Sequence, residues 1–161
     1  MVERKNNVKL LCDLLSEGAV LCPLSEKEKW AAIEKCLRAH PRISSGAITF
    51  EESLSSIRER EREEQTTMLE NGVAIPHGIL PDPAPLLCML GVSPEGVLYS
   101  SVGEKAQIIL TILGSRSVRR DYLGVLAQIA RLFRGPDLKE KILKAKTPDE
   151  VLTLLREAER Y

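Results

Sequence analysis

The chain has 161 residues, and its 23 lysines and arginines are matched by 23 aspartates and glutamates, so the formal net charge is zero. That balance argues against a nucleic-acid binder that works by neutralising phosphates. With 43% apolar and 29% charged residues, the composition is that of a globular protein rather than a disordered one. The longest apolar stretches, Ala84–Val92 and Ala106–Gly114, fall short of the roughly 18 residues a membrane span needs. The length suits one domain over residues 1–161, large enough to bury a core without staples.

The N-terminal stretch MVERKNNVKLLCDLLSEGAV lacks an apolar core followed by a small-residue cleavage site, so no signal peptide is expected and the location expected is the cytoplasm. The four cysteines, Cys12, Cys22, Cys36 and Cys88, are then expected to be reduced and to pack as small hydrophobes. No two are spaced Cys-x-x-Cys and neither His40 nor His77 adjoins one, so no metal site is expected. Gly18–Leu24 reads as a short strand. Ser25 with Glu28 has the spacing of a capping box, followed by a helix over Lys27–Ala39 in which Trp30, Ile33 and Leu37 share a stripe. Pro41 ends that helix, leaving His40 as a helix-terminal surface residue. Thr49 and Glu52 form a second capping box before a helix whose Phe50, Leu54 and Ile57 share a face and which runs into the charged segment Glu59–Glu63.

Strand signals follow. Val73-Ala74-Ile75 is a short apolar run before Pro76. Leu86–Val92 and Gln107–Leu113 are continuous apolar runs, as expected of strands covered on both faces. Val97–Ser100 reads as a further short strand after a Pro94-Glu95-Gly96 turn, and Gly78–Pro85 as a loop. Helical spacing returns over Arg120–Arg134 until Gly135-Pro136 stops it, then around Leu138, Ile142 and Leu143. Thr147-Pro148-Asp149-Glu150 combines a cap, a proline at the first helical position and a capping-box glutamate. The order of elements predicts an α/β fold, a mixed β-sheet flanked by helices on both faces.

One histidine has a special setting. In Asn71–Gly78 a strand ends in Pro76, His77 and Gly78. Pro76 fixes the angle at which the chain leaves. Gly78 permits close backbone approach or a positive φ beside the imidazole. Such a histidine can turn one ring nitrogen to a cleft while a backbone carbonyl holds the other and sets the tautomer. An unperturbed imidazole is largely neutral at pH 7, and a neutral imidazole can accept a phosphoryl group.

The longer pattern Glu61–Gly78, EREEQTTMLENGVAIPHG, resembles the active-site signature of the enzyme IIA domains of the bacterial phosphoenolpyruvate-dependent phosphotransferase system. The likeness is to the fructose/mannitol class and its stand-alone nitrogen-regulatory member. LSEKEKWAAIEKCL looks like that family's first helix, GVSPEGVLY like its central hairpin, and YLGVLAQIARLF and KTPDEVLTLL like its late helices. The resemblance implies the mannitol/fructose IIA-like sandwich fold. It implies that His77 takes a phosphoryl group from an HPr-type carrier and passes it to a IIB component or keeps it as a regulatory mark on a target protein. Thr67 aligns with a threonine that bonds a phosphoryl oxygen. No cofactor is implied, because the group arrives already activated.

Two positions depart from the family pattern. A second histidine expected at the start of a late helix is Tyr122 here, which either packs or donates a hydrogen bond at the site. The family arginine aligns without gaps to Glu61, flanked by Arg60 and Arg62. Arg62 is the favoured cation, with Arg116, Arg119 and Arg120 also in reach. The lack of membrane or IIB segments in the chain leans toward the nitrogen-regulatory type. A non-catalytic module that keeps the fold and regulates partners by contact is the alternative.

Overall fold

The structure, a computed structural model, describes residues 9–63, 68–69, 71–100 and 102–160. In chain order its elements are helix α1 (Leu11–Glu17), strand β1 (Ala19–Leu21), helices α2 (Lys29–Ala39), α3 (Pro41–Ser44) and α4 (Phe50–Glu63), strands β2 (Met68–Leu69), β3 (Val73–Ala74), β4 (His77–Ile79), β5 (Leu87–Leu98) and β6 (Lys105–Gly114), and helices α5 (Arg119–Leu132), α6 (Asp137–Lys144) and α7 (Pro148–Glu159). A single 3₁₀ turn, Arg116–Val118, links β6 to α5. Among the described residues no helix is long and apolar enough to cross a membrane.

The two long apolar runs make the centre. β5 and β6 pair antiparallel from Leu87↔Leu113 to Val92↔Ile108. The sheet order is β1-β5-β6-β3-β2, with β4 also on β6. β1, β3 and β4 run parallel to their partners, so the sheet is mixed. Because side chains alternate along a strand, β6 feeds two cores. Ile108, Leu110 and Ile112 join Leu11, Val125, Ile129, Phe133 and Leu155 on one face. Ile109 and Leu113 join Ile33, Leu37, Leu54 and Ile57 on the other. Helices therefore cover both faces, as the order of elements predicts.

The local start signals were not all the ones used. α2 begins two residues later than expected, with Glu28 as its cap, accepting from the Trp30 and Ala31 amides at 3.1 Å each. Ser25 takes no part. Residues 27 and 28 are held extended against β5, where the Leu98 amide donates to the Lys27 carbonyl at 2.9 Å. His40 is buried rather than a surface residue: its Nδ1 accepts from the Arg42 amide at 3.1 Å and so caps α3. Thr49 and Thr147 do cap as expected, accepting from the Glu52 and Glu150 amides. Pro94-Glu95-Gly96 does not separate two strands. It is an irregularity inside β5, which resumes pairing at Val97. The cysteines are free, with Cys12, Cys36 and Cys88 buried. Burial pushes the Cys36 thiol up to about 12, so it packs as a hydrophobe.

Candidate functional site

β3 and β4 are one run along β6, broken at Ile75-Pro76. Val73 pairs with Ile108 and His77 with Ile112, so the register is the same on both sides of the break. Proline has no N–H to give the ladder, but its carbonyl still accepts from the Ile112 amide at 3.0 Å. The chain thus leaves pairing for two residues and returns to it with His77. Alternation then sets which face each side chain takes. Val73, Ile75, His77 and Ile79 point to the α5 side, while Ala74 and Gly78 point to the α2–α4 side.

The tautomer of His77 follows from its two neighbours. Nδ1 lies 2.7 Å from the Ile75 carbonyl, which can only accept, so Nδ1 carries the proton. Nε2 lies 3.4 Å from the Nε of Arg60, which can only donate. Nε2 therefore presents its lone pair outward, toward a guanidinium.

Arg60 holds the position expected of Arg62. At 3.6 residues per turn, positions two apart sit on opposed sides of a helix. Arg60 follows Ser53 and Ser56 on the face against β4, whereas Arg62 is exposed. Glu61 follows Leu54 and Ile57 inward: its carboxylate, 5% exposed, lies 3.3 Å from the Lys29 ammonium and accepts from the Tyr99 hydroxyl at 3.0 Å. Gly78 lets the helix come this near. A Cβ there would sit 2.8 Å from the backbone carbon of Ser56, closer than atoms can pack. Of the two uses of Gly78 open in the sequence, close approach is the one realised; its φ is not positive. Arg60 was findable from the helical phase alone, because Ser53 and Ser56, small residues at helical spacing, mark the strand-facing side that Arg60 continues.

Tyr122, buried in the first turn of α5, sets its ring edge toward His77, centroids 6.3 Å apart and planes at 66°. Beside them opens a cleft of about 550 Å³ lined by Arg60, Ile79, Arg116, Arg119, Tyr122 and Leu123, together with Gly114 and Ser115. Arg120 does not line it. Thr67 lies outside the described residues. Asn71 donates its side-chain amide to the Phe133 and Arg134 carbonyls, and its backbone carbonyl accepts from Lys139. Among the described residues there is no group of three potential metal ligands.

Residues 13–158 match the family described as phosphoenolpyruvate-dependent sugar phosphotransferase system, EIIA 2. The chain belongs to this family. A mannitol-specific phosphotransferase enzyme IIA component of Staphylococcus aureus is 28% identical over 155 residues, covering 92% of this chain and 99% of that protein. A nitrogen regulatory protein of Bradyrhizobium diazoefficiens is 23% identical over 146 residues, covering 90% and 94%. In fold, the IIA domain matches the nitrogen regulatory protein IIA-Ntr of Neisseria meningitidis with a TM-score of 0.76 at 23% identity, over 91% of this chain and 99% of that one. It matches mannitol IIA of Escherichia coli with a TM-score of 0.70 at 20% identity, over 87% and 96%. The mixed-sheet sandwich expected from the sequence is the fold of these IIA proteins.

Proposed function

We propose that the chain is a phosphocarrier that accepts a phosphoryl group on His77 Nε2 from an HPr-type phosphohistidine and passes it to a IIB component or holds it as a regulatory mark. The observation that carries the reading is the Nδ1–H bond to the Ile75 carbonyl, which leaves the Nε2 lone pair outward beside Arg60. In the transfer the Nε2 lone pair attacks phosphorus as the donor's P–N bond breaks, and the donor imidazole leaves with that electron pair. The proton stays on Nδ1, donated to the Ile75 carbonyl, so the phosphorylated ring is cationic and remains a good leaving group for the next transfer. Arg60 turns its N–H from the lone pair to the phosphoryl oxygens, where a charge-assisted bond is stronger. Such transfers ask mainly for positioning and electrostatics. A complex of mannitol enzyme IIA with phosphorylated enzyme IIB from Escherichia coli shares this fold, which supports a IIB-type acceptor. In this reading Tyr122, its ring edge toward His77, is a further phosphoryl-contacting group, and Thr67 is one on the family resemblance alone.

The test is labelling with phosphoenolpyruvate, enzyme I and HPr. Acid-labile phosphate is expected on the wild type and absent from His77→Ala. A folded wild type that takes no label overturns the reading. The alternative, a module acting by contact alone, draws on Tyr122 standing where the family pattern has a second histidine. It requires partner binding that is indifferent to His77→Ala.

A further inference from the structure

The cleft beside His77 differs in charge from the chain as a whole. Net charge is zero, yet three arginines, Arg60, Arg116 and Arg119, line the cleft and, among the described residues, no carboxylate does. The adjoining hollow of about 280 Å³ shares Arg60 and Arg116 and adds one acid, Glu59. Asp82, bonded to the Ser117 amide, offsets Arg116 in part. Neither Arg116 nor Arg119 is within ion-pair distance of a carboxylate among the described residues.

The placement of Arg119 runs against the stability of α5. Arg119 and Arg120 occupy its first turn, with Asp121 the one acid there. Cations at a helix N-terminus face the positive end of the macrodipole, which is unfavourable. Nor does phosphoryl binding account for them, since one phosphoryl group carries about two charges at most and Arg60 already stands at the imidazole. The cleft lining also includes exposed apolar side chains. Ile79 is 46% and Leu123 51% exposed, two of the four large hydrophobics left exposed among the described residues. Apolar centres ringed by arginine and tyrosine are the composition of protein interfaces.

We propose that this cleft is a docking surface for a phosphocarrier partner whose own transfer site is rimmed by acidic side chains. The proposal rests on the phosphocarrier reading. Ile79 and Leu123 would take the partner's apolar centre, and Arg116 and Arg119 its carboxylates. Electrostatic steering of this kind acts mainly on encounter and on partner choice.

The experiment uses the full chain and two engineered forms of an HPr-type carrier, one with glutamates and one with lysines around its phosphohistidine. Phosphoramidate, a small donor without a rim, tests whether wild-type His77 accepts a phosphoryl group at all. At low salt the acidic carrier is expected to transfer with a KM about tenfold below the basic one, and the gap should close as salt rises. In the double variant Arg116→Glu/Arg119→Glu the preference should reverse, and a reversed preference also shows that the variant is folded. Equal or better use of the basic carrier by wild type, or a preference unmoved in the variant, overturns the docking proposal. So does inhibition by pyrophosphate that falls equally on both carriers, which would mark a small-anion site. Failure of phosphoramidate and both carriers alike to label wild-type His77 removes the phosphocarrier reading, and the docking proposal with it.

Discussion

Arg60 and Arg62 are the same residue type two positions apart, yet the fold gives them different surroundings: one donates to His77 and the other faces solvent. That difference sets an expectation for kinetics. Removing a single donor aimed at developing charge typically lowers turnover about 100-fold, so Arg60→Ala is expected to lower the rate of phosphoryl transfer to His77 on that scale. Arg62→Ala should stay within about twofold, as for an exposed charge. Rapid-quench measurement of labelling separates the two, and equal losses from both would mean the guanidinium is not acting at the imidazole. The family resemblance implied a cation near His77 but did not say which, because gapless spacing falls on Glu61. The structure puts Glu61 to a different use, pairing it with Lys29 and Tyr99.

The contact between α4 and β4 is what brings Arg60 to His77, and Gly78 permits it. Gly78→Ala places a methyl against the backbone of Ser56. Overpacking of this kind costs about 1–3 kcal/mol, to be seen as a lower urea midpoint with unchanged m-value. It should also slow transfer, because α4 can relieve the clash only by carrying Arg60 away. An alanine variant with wild-type stability and rate would show that the contact is slack. Elements of this kind were unevenly legible. β5, β6, α5 and α7 announce themselves by long apolar runs or caps. α1 does not, because it has only seven residues and Leu10 at its cap offers no side-chain bond; its first amide is instead met by Gln128, far along the chain on α5. β4 reads as loop because a proline precedes it and a glycine sits in it, and only pairing with β6 makes it a strand. Ser25 looked like a cap and is not one, since the residues after it are held extended by β5.

At the scale of the molecule, stability should carry the mark of one buried histidine. Burial among apolar groups, with Arg42 nearby, depresses His40 from the ordinary 6.5 to about 4. Its neutral form is the one that caps α3. The stability this confers is complete above pH 6.5. It is lost as pH falls, because the unfolded chain takes up a proton that the folded one refuses, and the loss levels off near pH 4. The whole effect is at most about 3 kcal/mol. Urea midpoints across this window should decline in wild type. In His40→Asn, which keeps a capping acceptor, they should start lower and decline less, whereas an equal decline would assign the slope to other groups. The architecture also says how the site can move. β4 pairs with the last residues of β6, and the turn bearing Arg116 and the helix bearing Arg119 issue directly from that strand's end. Two walls of the cleft thus share one root and cannot part without unzipping the central strand. The third wall, α4, is fastened by Ser56 against Gly78 and by the Lys29–Glu61–Tyr99 cluster. The cleft beside His77 is therefore expected to hold its shape, and in the proposed transfer complex the flexing would fall to the visiting protein.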